Sequence, residues 1–213
     1  MAVYIEALIL YVVLFFSGSA GSAPAAGADS FSISWGLTSI FIYSIPSLAL
    51  IWYLMLRVKK AKDWDILPGK KDLIPGLLTF SCLLIIGFTT AFVSSYIGGT
   101  AAQVSFHLPS SAVGWVVLCA SCFSSAYLEE SYFRFYLLAR RDELHLSAPS
   151  ALAVSVALFS ICHIYEGPWG FLNSVLSGAL LAFVFLRYRS LHGIAVAHSL
   201  YNISVYVINS ALN

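Results

Sequence analysis

Apolar residues fall in seven long runs, separated by short polar or small-residue stretches, at 3–16, 34–56, 73–97, 113–139, 149–165, 170–186 and 194–212. A helix that crosses a bilayer needs about 20 mostly apolar residues. The pattern therefore predicts an all-α fold, a polytopic transmembrane helix bundle of about seven spans. The first run is the shortest and is followed by a stretch rich in Gly, Ala, Ser and Pro at 17–30, which has the look of a signal-peptide cleavage region. No Lys or Arg precedes it, and it carries Glu6, so a retained first helix with an outer loop is expected.

Composition agrees with this reading. Hydrophobic residues make up 60% of the chain and charged residues 10%, whereas a soluble domain carries about 25% charged residues. So little charge cannot cover a soluble globule, and lipid must be part of the solvent. The net charge of +1 gives no sign of a nucleic-acid partner.

The distribution of charge is more telling. Arg57, Lys59, Lys60, Lys62, Lys70 and Lys71 lie between the second and third runs, Arg140 and Arg141 after the fourth, Arg187 and Arg189 after the sixth. These loops alternate so as to share one side, which the positive-inside rule makes cytoplasmic. The expected topology is N-terminus in and C-terminus out, in a bacterial inner membrane. Arg134 is the one basic residue left within a span.

The four cysteines, Cys82, Cys119, Cys122 and Cys162, all fall in apolar runs and read as free, small hydrophobic groups. Cys119 and Cys122 form a C-x-x-C, but a zinc ribbon needs a second pair. No internal repeat and no soluble domain is evident. The chain divides into N-terminal helices, 1–112, and a helical core, 113–213, that holds the unusual polar residues.

An ionisable group inside a span costs on the order of 2.5–3.5 kcal/mol on insertion scales and marks a functional site by default. The fourth span carries Glu129, Glu130 and Arg134, the fifth His163, and the seventh His198 with Asn202. Glu130 and Arg134 are four apart and share a helix face, as a buried strut would. Glu129 is rotated by about 100° and lacks that partner, which is how a general acid or base is built. His163 alone reads as a core residue, and His198 with Asn202 as an interhelical hydrogen-bonding pair. At 1.5 Å per residue, Glu129 and Asn202 lie about 15 Å from the basic loops, His198 is shallower, and His163 about 20 Å or more deep.

The three motifs Glu129-Glu130-x-x-x-Arg134, Phe159-x-x-x-His163 and His198-x-x-x-Asn202 together resemble the CAAX-protease and bacteriocin-processing (Abi) family, relatives of the type II CAAX-prenyl endopeptidase. The similarity runs from Val113 to Tyr206. It implies a glutamate-type intramembrane endopeptidase in which Glu129 and His163 activate water, His198 and Asn202 stabilise the oxyanion, and Glu130 and Arg134 support them. The implied partners are membrane lipid and a membrane-associated or lipidated protein or peptide, and no cofactor is required.

Glu129, His163 and His198 would suffice in number for a catalytic zinc, but no H-E-x-x-H is present, and the metal-free mechanism is preferred. Two other classes compete. A bacteriocin-immunity or scaffold protein would have no need of Glu129. A proton-coupled transporter would be expected to show internal repeats. His107, His145 and His192 lie near span ends or in loops and receive no role, nor does Glu166. Trp169, in the same outer turn as Glu166, reads as an interfacial anchor.

Overall fold

The computed structural model describes residues 2–16, 31–58, 67–97 and 108–212. Helix α1, Ala2–Tyr11, continues into a π turn at Val12–Phe16. Helix α2, Ile33–Leu56, contains a second π segment at Ser39–Ser44. A 3-10 turn, Lys70–Asp72, leads into α3, Leu73–Ile97. Helix α4, Ala112–Ala139, changes to π geometry at Ser131–Tyr136. Three helices complete the bundle: α5, Ala148–Ile161, α6, Gly167–Tyr188, and α7, Leu191–Leu212. The protein is an integral membrane helix bundle. α2, α3, α4, α6 and α7 are long and apolar enough to cross a membrane, and α1 and α5 are shorter apolar helices.

Local sequence explains where the helices start and stop. Ser32, Ser111 and Ser147 each accept a hydrogen bond from a backbone N–H of the first turn, the N-cap arrangement that satisfies an orphan donor. Arg189 closes α6 in the left-handed region at φ 52°. One boundary differs from the apolar pattern. The run at 149–165 suggested helix as far as Tyr165, but α5 ends at Ile161. Cys162 and His163 form a turn, a short 3-10 segment follows at Ile164–Glu166, and Gly167 takes φ 80°, a conformation that favours glycine. Pro168 then opens α6, where its missing N–H costs no hydrogen bond. The turn residues are as apolar as the helix before them, so periodicity could not mark the stop.

Helix α3 is peripheral: Leu73, Ile74, Leu77 and Phe92 are 67–70% exposed, which suits a lipid-facing helix. The second half of α4 is the opposite. Tyr132, Phe133 and Arg134 are fully buried, and Phe135, Tyr136 and Leu138 nearly so, making this the central strut of the bundle. Helix α1 is a packed member of the core. Tyr11 donates to Leu158 O at 2.8 Å, Tyr132 donates to Ala7 O at 2.7 Å, and the Phe15 ring lies 4.7 Å from that of Phe133.

Two contacts tie the loops at the basic end together. Ser190 donates to Asp72 at 2.5 Å, joining the α6–α7 turn to the start of α3. Arg140 pairs with Glu6 at 2.7 Å, bringing the start of α1 to the loop after α4. Lys59, Lys60, Lys62, His107 and the small-residue stretch at 17–30 lie outside the described residues. The four cysteines are free.

Candidate active site

The centre of the bundle holds a closed ionic network contributed by α4, α6 and α7. Arg134 Nε approaches Glu130 Oε2 at 3.1 Å, close enough for an ion pair but out of line for a hydrogen bond, and both side chains are fully buried. The other Glu130 oxygen accepts from His198 Nδ1 at 2.8 Å. Arg134 also donates from Nη2 to Gly178 O at 3.2 Å, and its guanidinium lies 4.5 Å above the Phe159 ring. Each buried charge has at least one opposite charge or dipole against it, the condition under which such groups are tolerated.

Backbone geometry adds to this. The π turn begins at Ser131, directly after the two glutamates, and π turns inside α-helices are frequent at functional sites. Neighbouring helices hold it in place. Trp52 Nε1 donates to Ser131 Oγ at 3.0 Å, and Ser155 Oγ donates to Phe133 O at 2.8 Å.

Glu129 stands apart from the network. Its side chain keeps 20% exposure, and its buried Oε2 has no hydrogen-bond partner within the protein. The nearest polar group is His198 Nε2, at 3.8 Å. Because the paired Glu130 carboxylate is an acceptor, His198 carries a proton on Nδ1, and Nε2 is the nitrogen left to face Glu129.

His163 lies in that turn. It donates from Nδ1 to Phe159 O at 2.9 Å, and its ring sits 4.7 Å from Phe159 and 6.4 Å from Tyr165. No hydrogen bond or ion pair joins it to Glu129 among the described residues. Phe159 separates the two histidines, its ring 6.0 Å from that of His198. Asn202 is half-buried on α7, one turn beyond His198. The structure thus brings Glu129, Glu130, Arg134 and His198 together, with His163 across the Phe159 ring and Asn202 further along α7.

The depth of His163 now has an explanation. Helix α5 has 14 residues, about 21 Å at 1.5 Å per residue, which is short of the roughly 30 Å hydrocarbon core. The turn after it leaves helical geometry at Cys162 and His163. Such backbone is tolerated where protein buries it or where it lines a water-filled cavity.

No group of three or more His, Cys, Asp or Glu side chains is disposed to hold a metal ion among the described residues. A cavity of about 430 Å³ lies between α3, α6 and α7, beside Asn173 and Tyr201, and none of the motif residues lines it.

Residues 109–204 match the family model described as type II CAAX prenyl endopeptidase Rce1-like. The chain carries an Rce1-like domain. Comparison with curated proteins finds no match, and comparison with solved structures finds none either. The Rce1-like match supports, at family level, a CAAX-type intramembrane protease, and suggests a membrane environment and a protein or peptide substrate. The matched segment holds Glu129, Glu130, Arg134, His163, His198 and Asn202, and it begins after α3.

Sequence reasoning missed two features of the Rce1-like domain. Phe159 was part of a motif but had no assigned contact, and its ring touches Arg134 and both histidines. Glu166 was left in an outer turn, yet its backbone N–H donates to His163 O at 3.0 Å and closes that turn. The only signal in the sequence was an acid three residues after the motif histidine.

Proposed function

We propose that the Rce1-like domain is a glutamate-type endopeptidase that hydrolyses a peptide bond of a membrane-associated or lipidated substrate, without a metal. The observation that carries this reading is the contrast between two adjacent carboxylates. Glu130 is ion-paired with Arg134 at 3.1 Å and accepts from His198 at 2.8 Å, while Glu129 makes no ion pair closer than the 3.8 Å approach of His198 Nε2 and its buried Oε2 has no hydrogen-bond partner. A pure structural strut has use for the first and none for the second.

In this reading Glu129 takes a proton from a water molecule, with His163 assisting from the turn. The water oxygen bonds to the scissile carbonyl carbon, and the carbonyl π electrons move onto its oxygen. Asn202 donates to that oxyanion, and so does His198 Nε2 when the ring carries its second proton. As the tetrahedral intermediate collapses, the C–N bond breaks and Glu129 returns the proton to the leaving amine. Glu130 and Arg134 hold His198 and the π turn in place. The basic loops are cytoplasmic, the N-terminus is in and the C-terminus out, and a bacterial inner membrane is the setting that fits.

The test is cleavage of membrane-anchored quenched peptides, prenylated and unprenylated, by purified protein in detergent. Wild type is compared with Glu129→Gln, each with and without a chelator. Cleavage lost in Glu129→Gln, with folding intact and the chelator without effect, supports the proposal. Loss with the chelator alone would turn the same residues into zinc ligands. Cleavage retained in Glu129→Gln, or absent from folded wild type, would move a bacteriocin-immunity or scaffold role to first place.

A further inference from the structure

Glu129 is not aimed by a short contact of its own. Among the described residues its buried Oε2 has no hydrogen-bond partner, and its closest ion-pair approach is His198 Nε2 at 3.8 Å. The direction of its carboxylate therefore depends on the backbone of α4, and that backbone depends on what holds the residues beside it. Glu129, Glu130 and Ser131 are consecutive on a helix, so their side chains leave it about 100° apart. Two of those three directions are taken. Glu130 accepts from His198 of α7 at 2.8 Å, and Ser131 accepts from Trp52 of α2 at 3.0 Å.

The bond from Trp52 departs from the ordinary behaviour of both partners. Serine inside a helix commonly donates back to a carbonyl one turn earlier, as Ser81, Ser121, Ser199 and Ser204 do here. Ser131 is fully buried and instead accepts from another helix. Tryptophan near the end of a membrane helix commonly sits at headgroup level with its polar edge wet. Trp52 is one turn from Leu56, the last residue of α2, yet its N–H points inward to Ser131. The same indole lies 5.4 Å from the Phe135 ring, so it meets the π turn Ser131–Tyr136 at both its start and its far side. Ser155 of α5 braces the turn separately, through Phe133 O at 2.8 Å. Helix α2 lies outside residues 109–204, so the Trp52 brace comes from outside the Rce1-like domain.

We infer that Trp52 is a positioning residue for the hydrolytic site: its N–H, bonded to Ser131 Oγ, fixes the start of the π turn and with it the direction in which Glu129 points. The inference rests on the glutamate-protease reading and deepens it. Trp52 acts through Ser131 and the α4 backbone, not on the scissile bond.

The test uses the full chain, purified in detergent, with whichever quenched peptide wild type cleaves, and follows kcat, KM and Tm. Trp52→Phe keeps a ring against Phe135 and removes the N–H. Ser131→Ala removes the acceptor, and Ser131→Thr keeps it. A misplacement of about 1 Å at a reacting group can cost about 10²-fold in rate. Trp52→Phe and Ser131→Ala are therefore each expected to lower kcat by about 10- to 100-fold while KM holds. The double variant should fall no further than either single one, because the second change removes a bond already broken. Ser131→Thr should keep most of the wild-type rate. A packing role alone would lower Tm and leave kcat of the folded protein unchanged. If Trp52→Phe does not fold, the two Ser131 variants decide, and equal kcat in Ser131→Ala and Ser131→Thr overturns the inference. If Trp52→Phe and Ser131→Ala keep the wild-type kcat, or if their losses multiply in the double variant, while Glu129→Gln is inactive, the inference fails and the protease reading survives. If Glu129→Gln is as active as wild type, or folded wild type cleaves none of the peptides, the protease reading fails, and the inference with it.

Discussion

His198 of α7 donates from Nδ1 to Glu130 of α4 at 2.8 Å, and this one bond decides which nitrogen of the ring faces Glu129. It divides the adjacent glutamates into a structural acid, locked between His198 and Arg134, and a second acid that remains available.

Glu130→Ala leaves Arg134 buried without its carboxylate, and the expected loss of stability is about 3–5 kcal/mol. Thermal unfolding in detergent should show a large fall in Tm for Glu130→Ala and little change for Glu129→Ala. Equal losses for the two would mean that both glutamates are struts.

Glu129→Gln should behave in the opposite way. The side chain keeps its size, and no ion pair closer than the 3.8 Å approach of His198 is broken. General-base catalysis is worth about 10²–10⁴ in rate. Single-turnover cleavage should therefore fall by at least about 10²-fold with Tm unchanged.

Gly178 links packing to the site. Its carbonyl accepts from Arg134, and a Cβ there would meet Phe159 Cδ1 at 2.8 Å. Gly178→Ala must push the ring that separates His163 from His198. Overpacking of this kind costs about 1–3 kcal/mol, and both Tm and kcat are expected to drop. An active, fully stable Gly178→Ala protein would show that the position of Phe159 is not critical.

Helix α1 is clamped at the basic end, where Glu6 accepts from Tyr136 OH at 2.5 Å and from Arg140 at 2.7 Å. Tyr136→Phe removes one hydrogen bond, a loss of about 0.5–1.5 kcal/mol. Glu6→Gln should cost more than Tyr136→Phe, because it also weakens the pairing with Arg140, although Arg140 keeps Glu143 at 2.9 Å. Limited proteolysis near the N-terminus, compared across the three proteins, would read the loosening. Identical digestion rates would place the anchoring of α1 elsewhere, in its aromatic contacts.

Much of this is legible in the sequence. Runs of apolar residues must be helices in lipid, because an unsatisfied backbone group has no water to bond there. The i, i+4 spacing of Glu130 and Arg134 predicts their ion pair, and the structure has it at 3.1 Å. Helix α5 was less legible. Its apolar run continues past Ile161, so the stop at Cys162 and His163 left no trace in hydropathy.

The order of residues along the chain was enough to mark the apolar helices and the polar groups set within them. Those properties depend on composition and on spacing within a single helix. Tertiary structure alone decided the partners. That His198 bonds Glu130 and only approaches Glu129, and that the Phe159 ring packs near both histidines, depend on how segments distant in sequence come together. Such distances are set by packing, by the π turn at Ser131–Tyr136 and by the space that Gly178 leaves open for Phe159. No local pattern encodes them, because each needs two segments far apart in sequence to be in place at once.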